Sequence, residues 1–472
     1  MGLLFFGSQA GTPADLRKAK AQTVPARPNF VFILTDDMRK DDLRYMPKTK
    51  SILRDKGMRF ENAFVSNALC APSRATIMRG QYSHNNGVWS NSSTDSPTTT
   101  IGGWQAYQQN DGEEDNVATR LDDAGYRTGL FGKYMNRYAD TTYVPPGWDR
   151  WFAASTLGDP EYFDYDVNVD GTTRHFGTND RDYVTDVLSV RTNAFISSST
   201  SLGTPFFAYV APIAPHAPAT PAPRDVHAYN GVSGPRLPSF DEDDVSDKPS
   251  WIRKLPNFTS TQIATIDSRH ENRVESLQSV DDLVEGVVDT LDSVNAMDNT
   301  YIFFTSDNGF HHGEHRVPEQ KWRPYEEDVR VPLLVRGPGV AAGKTTRKLA
   351  VNTDYLPTFT DLAGAQTPPY ADGRSLEPVL RGGVSAWRSA VLLESPANYS
   401  PAYRGIRTIS TNGIPKRKYV EYRGGAREFY GLSSDPYERS DTYNPHNPPS
   451  GLASRLQALK TCAAETCPAA ED

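Results

Sequence analysis

The sequence is poor in cysteine, lacks any long hydrophobic run and carries no basic excess, and each absence excludes a class of protein. Three cysteines in 472 residues cannot build a disulfide-scaffolded mini-protein or a cysteine-rich zinc module. No apolar run approaches the ~20 residues of a bilayer-spanning helix, so no membrane span is expected. Lys plus Arg number 50 against 58 Asp plus Glu, a net charge of −8. That balance argues against nucleic acid as a partner, because a broad footprint on it needs a basic face. What is present points to a globular chain. Apolar residues make up 37% and aromatics 11%, enough for a substantial core at this length, and one domain per roughly 150 residues gives two or three domains.

Residues 1–27 are polar and rich in Pro and Ala, and read as a leader or disordered segment outside the fold. Leu3-Leu-Phe-Phe6 is apolar but shorter than the roughly 7–15 residues of a signal-peptide core. From Pro28 onward, short apolar runs alternate with helical patterns, the mark of a mostly parallel α/β sheet flanked by helices. Phe30–Thr35 is continuous in β-type residues, as a strand buried on both faces should be. Thr128–Phe131, Pro205–Val210 and Tyr301–Thr305 are further strand candidates. Val274, Leu277, Val280, Leu283, Val284, Val287, Val288 and Leu291 keep helical spacing and predict a helix starting near Val274. Residues 205–256 are proline-rich and read as a long loop or insertion. After about residue 370 the strand signals shorten, at 391–393, 418–422 and 428–432, with a helix predicted over 451–459. The expected division is therefore a catalytic domain over 28–370 and a small antiparallel-sheet α+β subdomain over 371–472.

The strand tips carry a common chemistry. The first run ends in Thr35-Asp36-Asp37, the second in Gly132-Lys133, the third leads to Pro215-His216, and the fourth ends in Ser306-Asp307-Asn308-Gly309. In an open parallel sheet, ligands bind outside the carboxyl ends of the strands, so these four tips are candidates for one site. Asp36, Asp37, Asp307 and Asn308 offer only oxygen, which suits calcium or magnesium over zinc or copper. The same residues also serve as helix caps and turns. Cys70-Ala-Pro-Ser-Arg74 opens a helical stretch that ends at Gly80. Pro72 suits a first helical position, which places Cys70 just ahead of a helix N-terminus, where an anion is favoured. A thiolate nucleophile and a buried structural cysteine are both readings of that position. At the other end, Cys462 and Cys467 are close enough to close a small loop, which would mark an oxidising compartment; two free surface thiols are the alternative.

The set formed by Leu34-Thr-Asp-Asp37, Leu69-Cys-Ala-Pro-Ser-Arg74, Tyr82-Ser-His-Asn85, Phe131-Gly-Lys-Tyr-Met-Asn136, Pro145-Pro-Gly-Trp148, Ser279–Val284, Thr305-Ser-Asp-Asn-Gly309 and Val331–Pro338 resembles the type I sulfatases. It is most similar to the branch of N-acetylglucosamine-6-sulfatases and heparan 6-O-endosulfatases. The resemblance implies an alkaline-phosphatase-like fold and hydrolysis of a sulfate ester on a sulfated carbohydrate. It further implies conversion of Cys70 to formylglycine by a maturation enzyme; the expected secreted or otherwise extracytoplasmic location rests on the Cys462–Cys467 pair. Asp36, Asp37, Asp307 and Asn308 match the family's calcium ligands, with modified Cys70 as a further one. Arg74 and Lys133 match cations around the nucleophile and sulfate, and His216 and Lys321 match groups around the sulfate and the leaving oxygen. Asn136, His311 and Ser73 are expected to meet substrate, and Asn136 agrees with the glucosamine branch where many arylsulfatases have His. Arg79 departs from the Thr or Ser that usually precedes Gly80 in the maturation motif. His312 and His315 are extra and expected at the surface. Rival readings are an arylsulfatase, a phosphonate or phosphate monoester hydrolase on the same fold, and an inactive glycan-binding relative.

Overall fold

The computed structural model describes Gly2 and residues 27–92, 102–154, 161–395, 401–410 and 415–472; most of the expected leader lies outside them. The strands are β1 (Asn29–Thr35), β2 (Met58–Phe64), β3 (Arg127–Gly132), β4 (Arg150–Ala154), β5 (Tyr165–Val169), β6 (Thr172–Phe176), β7 (Phe206–Ala211), β8 (Thr300–Ser306), β9 (Leu333–Arg336) and β10 (Lys344–Val351), followed by β11 (Ala390–Ser395), β12 (Tyr403–Thr408), β13 (Lys418–Tyr422) and β14 (Arg427–Tyr430). The first ten form one sheet in the order β10-β2-β9-β8-β1-β7-β3-β4-β5-β6, and the last four an antiparallel sheet in chain order.

β1 is central and parallel to both neighbours, with Phe32 opposite Tyr209 of β7 and Phe303 of β8. Its period-two alternation feeds two cores. Phe30, Phe32 and Leu34 enter one apolar cluster, with Ala71, Ala75 and Met78 of the helix Cys70–Arg79 and Leu356 and Phe359 of the helix Tyr355–Ala363. Val31 and Ile33 enter the other, against Leu277, Val280, Val284, Val287 and Leu291 of the helix Ser260–Ser293. A strand sandwiched in this way has no polar face, which is why it reads as a continuous apolar run. Val391, Leu393 and Ile406 of the small sheet join the first cluster.

Three expectations need correcting. The long helix starts at Ser260, fourteen residues before Val274. Its first turns are mostly exposed and carry no apolar stripe; a reciprocal cap starts them, in which Thr259 Oγ1 accepts from the Gln262 N–H and Gln262 Oε1 accepts from the Thr259 N–H. The helix at Cys70 begins two residues earlier than expected, so Cys70 is its first residue and Pro72 its third. Proline fits there because the first four helical N–H groups lack an intrahelical partner in any case. Strands β2, β4, β5, β6, β9, β10 and β12 were not expected; β6 reads Thr-Thr-Arg-His-Phe, and β10 opens Lys-Thr-Thr-Arg-Lys on the sheet edge, so neither shows an apolar run. Among the described residues no helix is long and apolar enough to cross a membrane.

Candidate active site

The four parallel strands β8, β1, β7 and β3 lie side by side, so their carboxyl ends open on one edge of the sheet. Asp36 and Asp37 follow β1, Asp307 and Asn308 follow β8, Lys133 follows β3, and His216 lies in the loop after β7. Asp37 has a left-handed backbone (φ 65°), which turns its N–H onto Asp307 Oδ1 at 3.1 Å. Asn308 Nδ2 donates to Asp37 Oδ1 at 2.7 Å.

The helix Cys70–Arg79 brings the rest. Its N-terminus is capped from a distance: Asn91 Oδ1 accepts from the Ala71 N–H at 2.9 Å. The chain leaves the helix at Gly80 with φ 65°, a conformation only glycine adopts cheaply, and a Cβ there would press on Leu356 and Pro357 at 3.3 Å. Cys70 Sγ lies 3.4 Å from Asp36 Oδ1 and 2.9 Å from Lys321 Nζ. Arg74, one turn on, shares the Cys70 face. Its Nε donates to Asp307 Oδ2 at 2.8 Å and its Nη1 to the Lys133 carbonyl at 2.7 Å. Lys133 Nζ pairs with Asp36, and Lys321 Nζ with Asp37. His216 Nε2 is 3.6 Å from Asp37 Oδ2, while its Nδ1 sits 2.7 Å from the Ala217 carbonyl.

Three carboxylates thus meet three permanent cations in a buried cluster. Burial pushes the Asp36 carboxyl up, but Lys133, His216 and Arg74 outweigh it and hold it well below the usual range. Asp307 moves the other way, to about 6, through burial and the charge of Asp36. Burial lowers His216, which favours its neutral form. For Lys321, Asp37 and Cys70 overcome burial and keep the ammonium charged. Burial and Asp36 push the Cys70 thiol up to about 12. Both effects favour the protonated thiol over the thiolate at Cys70.

The site could hold a metal ion. Ligand atoms of Asp36, Asp37, Cys70 and His216 all lie within 4.8 Å of one another. Asn308 Oδ1 is fully buried and has no hydrogen-bond partner, the condition of an oxygen that needs a cation or water.

Ser73 departs from the expectation of substrate contact. It is buried, and its Oγ accepts from Asn352 Nδ2 at 3.0 Å, while Asn352 Oδ1 accepts from the Ser66 N–H, so the serine braces the helix against the scaffold. His312 and His315 are not at the surface: both are fully buried, paired through Nδ1 with Glu319 at 3.0 Å and Glu242 at 2.8 Å. His311 is also buried, with Nδ1 2.6 Å from Asp328 Oδ1 and Nε2 unpartnered. Asn136 lies three residues beyond Lys133, and its buried Oδ1 has no partner. Cys462 and Cys467 form a disulfide; the Cys462 carbonyl accepts from Asn85 Nδ2 at 2.9 Å, which ties the C-terminal loop to the segment after the Cys70 helix. Arg273 was missed by sequence reasoning. From the long helix it donates to the carbonyls of Asp37 and, at 3.0 Å, Pro215, and so clamps two of the site's loops together. Only its place on the polar side of an apolar stripe could have signalled it.

A family model described as Sulfatase matches residues 28–365. The chain belongs to the sulfatase family. A second model, the N-sulphoglucosamine sulphohydrolase C-terminal region, matches residues 313–461 of this sulfatase. A human N-acetylglucosamine-6-sulfatase is 34% identical over 93% of this chain and 86% of its own length. A Drosophila melanogaster extracellular sulfatase SULF-1 homolog is 36% identical over 78% of this chain, which spans only 33% of that longer relative. A solved structure of a protein with its substrate D-glucosamine-2-N,6-O-disulfate superposes with a TM-score of 0.75 and 26% identity, covering 92% of this chain and 97% of the other. The protein is a sulfuric ester hydrolase on an alkaline-phosphatase-like fold.

Proposed function

We propose that this sulfatase removes the 6-O-sulfate of N-acetylglucosamine units in a sulfated glycan, with Cys70 matured to formylglycine and a calcium ion held by Asp36, Asp37, Asp307 and Asn308. The observation that carries the reading is the position of Cys70 Sγ, between Asp36 at 3.4 Å and Lys321 Nζ at 2.9 Å. The substrate class is supported by the relatives named for N-acetylglucosamine 6-sulfate and by the structural neighbour bound to a glucosamine disulfate.

The hydrated aldehyde supplies one hydroxyl that attacks sulfur and a second whose loss of a proton expels sulfate and restores the carbonyl. A bound calcium would add positive charge where sulfate oxygens gather. The chain's own residues do the positioning. Arg74 is locked by Asp307 and the Lys133 carbonyl, so it meets an anion without reorganising. Lys321 keeps its proton at neutral pH and is the donor to the departing sugar oxygen. His216, at the more open side of the cluster (18% exposed), faces the sulfate. Asn136 offers an unpaired amide oxygen to a sugar hydroxyl or N-acetyl N–H, a contact an aryl ester cannot use.

Export follows from the same reading: one relative is an extracellular sulfatase, and the Cys462–Cys467 bridge persists in an oxidising compartment. Side-by-side kcat/KM on N-acetylglucosamine 6-sulfate, galactose 6-sulfate and nitrophenyl sulfate tests the substrate. The first should lead. A clear preference for either of the others would place the enzyme outside the glucosamine branch.

A further inference from the structure

Two cavities share Arg59, and no residue of the Cys70 cluster lines either of them. One, of about 520 Å³, is lined by Lys40, Lys50, Arg54, Arg59 and Arg330 among others. The second, of about 910 Å³, carries Lys344, Arg347, Lys348 and Arg381, with Glu61 as its one acidic lining residue. In a chain of net charge −8, this is a strong local reversal of sign.

The acids within reach do not neutralise it. Asp41 is taken by Arg39 at 2.9 Å, and Glu326 by Arg407 and Lys418 at 3.0 and 3.2 Å. Glu327 is pushed up to about 8 by burial and by Glu314, and so is neutral at pH 7. Lys40, Lys50 and Lys348 rest on main-chain carbonyls, those of Glu61, Arg44 and Ser385. Arg59 has a buried Nε with no hydrogen-bond partner. Lys40, facing Arg330, Arg59, Glu326 and Glu61, is lowered to about 7 by burial and Arg330. Four of the lining cations are paired, Arg54 with Asp55 at 2.7 Å, Arg330 with Glu326 at 3.6 Å, Arg347 with Glu61 at 3.3 Å and Arg381 with Glu377 at 2.8 Å; Lys40, Lys50, Arg59, Lys344 and Lys348 have no carboxylate partner among the described residues and leave the lining cationic.

We propose that the two cavities form one groove that binds a stretch of sulfated glycan outside the active site. Sulfate and carboxylate groups repeat along such a chain and match a line of guanidinium and ammonium donors. Nucleic acid is the weaker fit. Single strands bind through aromatic stacking as well as charge, and Tyr437 is the lone aromatic side chain lining either cavity. The choice of polyanion rests on the sulfated-glycan reading above; the charge of the groove does not.

The test is direct titration of the whole protein with a heparin hexasaccharide, inorganic sulfate and a single-stranded oligonucleotide of matched charge. It is repeated on Arg59→Gln, Lys344→Gln and the double variant. Lys344 is exposed, so its substitution spares the fold, and turnover of nitrophenyl sulfate in each variant reports an intact catalytic site. The hexasaccharide should bind wild type more tightly than the other two ligands and about ten-fold more weakly to the double variant, with affinity falling as salt rises. Equal affinity in wild type and double variant overturns the groove and shows that these cations serve only to keep an edge strand solvated. Oligonucleotide binding as tight as the hexasaccharide, or sulfate binding with no gain from chain length, overturns the glycan assignment. Loss of hexasaccharide binding in the double variant alongside no turnover of N-acetylglucosamine 6-sulfate by wild type would sink the proposed substrate and leave the groove standing.

Discussion

Arg74 donates from Nε to Asp307 Oδ2 at 2.8 Å, and neither side chain is reached by solvent. The pair joins the Cys70 helix to the tip of β8, so the place of Cys70 is tied to the carboxylates at the strand tips. Breaking it from the arginine side leaves a buried carboxylate without its partner. Arg74→Ala should therefore abolish turnover and cost about 3–5 kcal/mol of stability. Thermal unfolding of Arg74→Ala beside Arg74→Lys checks this. Unfolding temperatures equal to wild type would mean that the pair does not hold the site.

Cys70→Ala should leave the fold intact while reducing sulfate release at least about a thousand-fold. Cys70 is small, and its helix is capped through Asn91 and Gly80 independently of the thiol. Substantial sulfate release by the folded variant would remove the nucleophile from the mechanism.

Divalent-ion chelation should lower activity and the unfolding temperature together, because an ion bound only by the folded state stabilises it. Calcium should restore both better than zinc, since the side chains at the β1 and β8 tips present oxygen. An Asp36→Ala variant that is metal-free by elemental analysis and still fully active would contradict the ligand assignment.

Much of this site is legible in the sequence because its parts sit immediately after apolar runs. Asp36-Asp37 and Asp307-Asn308 follow the two central strands directly, and parallel neighbours must end on the same edge. Lys321 is not legible in that way. It lies on an irregular loop that reaches the cluster because the Trp322 N–H donates to the Ala68 carbonyl at 3.0 Å, a bond with no local sequence signal. Arg273 and Asn91 were likewise hidden, since both act on main-chain groups far away in sequence. The edge strand β10 was missed for a different reason: its outer half is exposed and polar, so periodicity is silent there.

Glu327 gives a pH signature of the fold. Its carboxyl is raised from 4.5 to about 8 by burial and Glu314, so the folded state holds a proton that the unfolded state releases above about 4.5. Where the folded state binds more protons, stability falls as pH rises. The contribution is full below about pH 4.5 and is lost by about pH 8. Replacing the residue with the neutral isostere, Glu327→Gln, should flatten the decline of unfolding temperature between pH 5 and 8. An unchanged slope would assign that decline to other groups.

Cys462 and Cys467 should resist alkylation in the native protein collected outside the cytoplasm and become labelled after reduction. Labelling of both before reduction would contradict the bridge and weaken the argument for export.

The central claim is that Cys70, placed 3.4 Å from Asp36 Oδ1 and 2.9 Å from Lys321 Nζ, becomes the nucleophile by conversion to formylglycine. Peptide mass mapping across residues 60–80 of catalytically active protein tests it most directly. The peptide bearing Cys70 should show the mass of an aldehyde in place of a thiol and react with a carbonyl-specific hydrazide. Fully active enzyme whose Cys70 peptide carries an unmodified thiol throughout would contradict it.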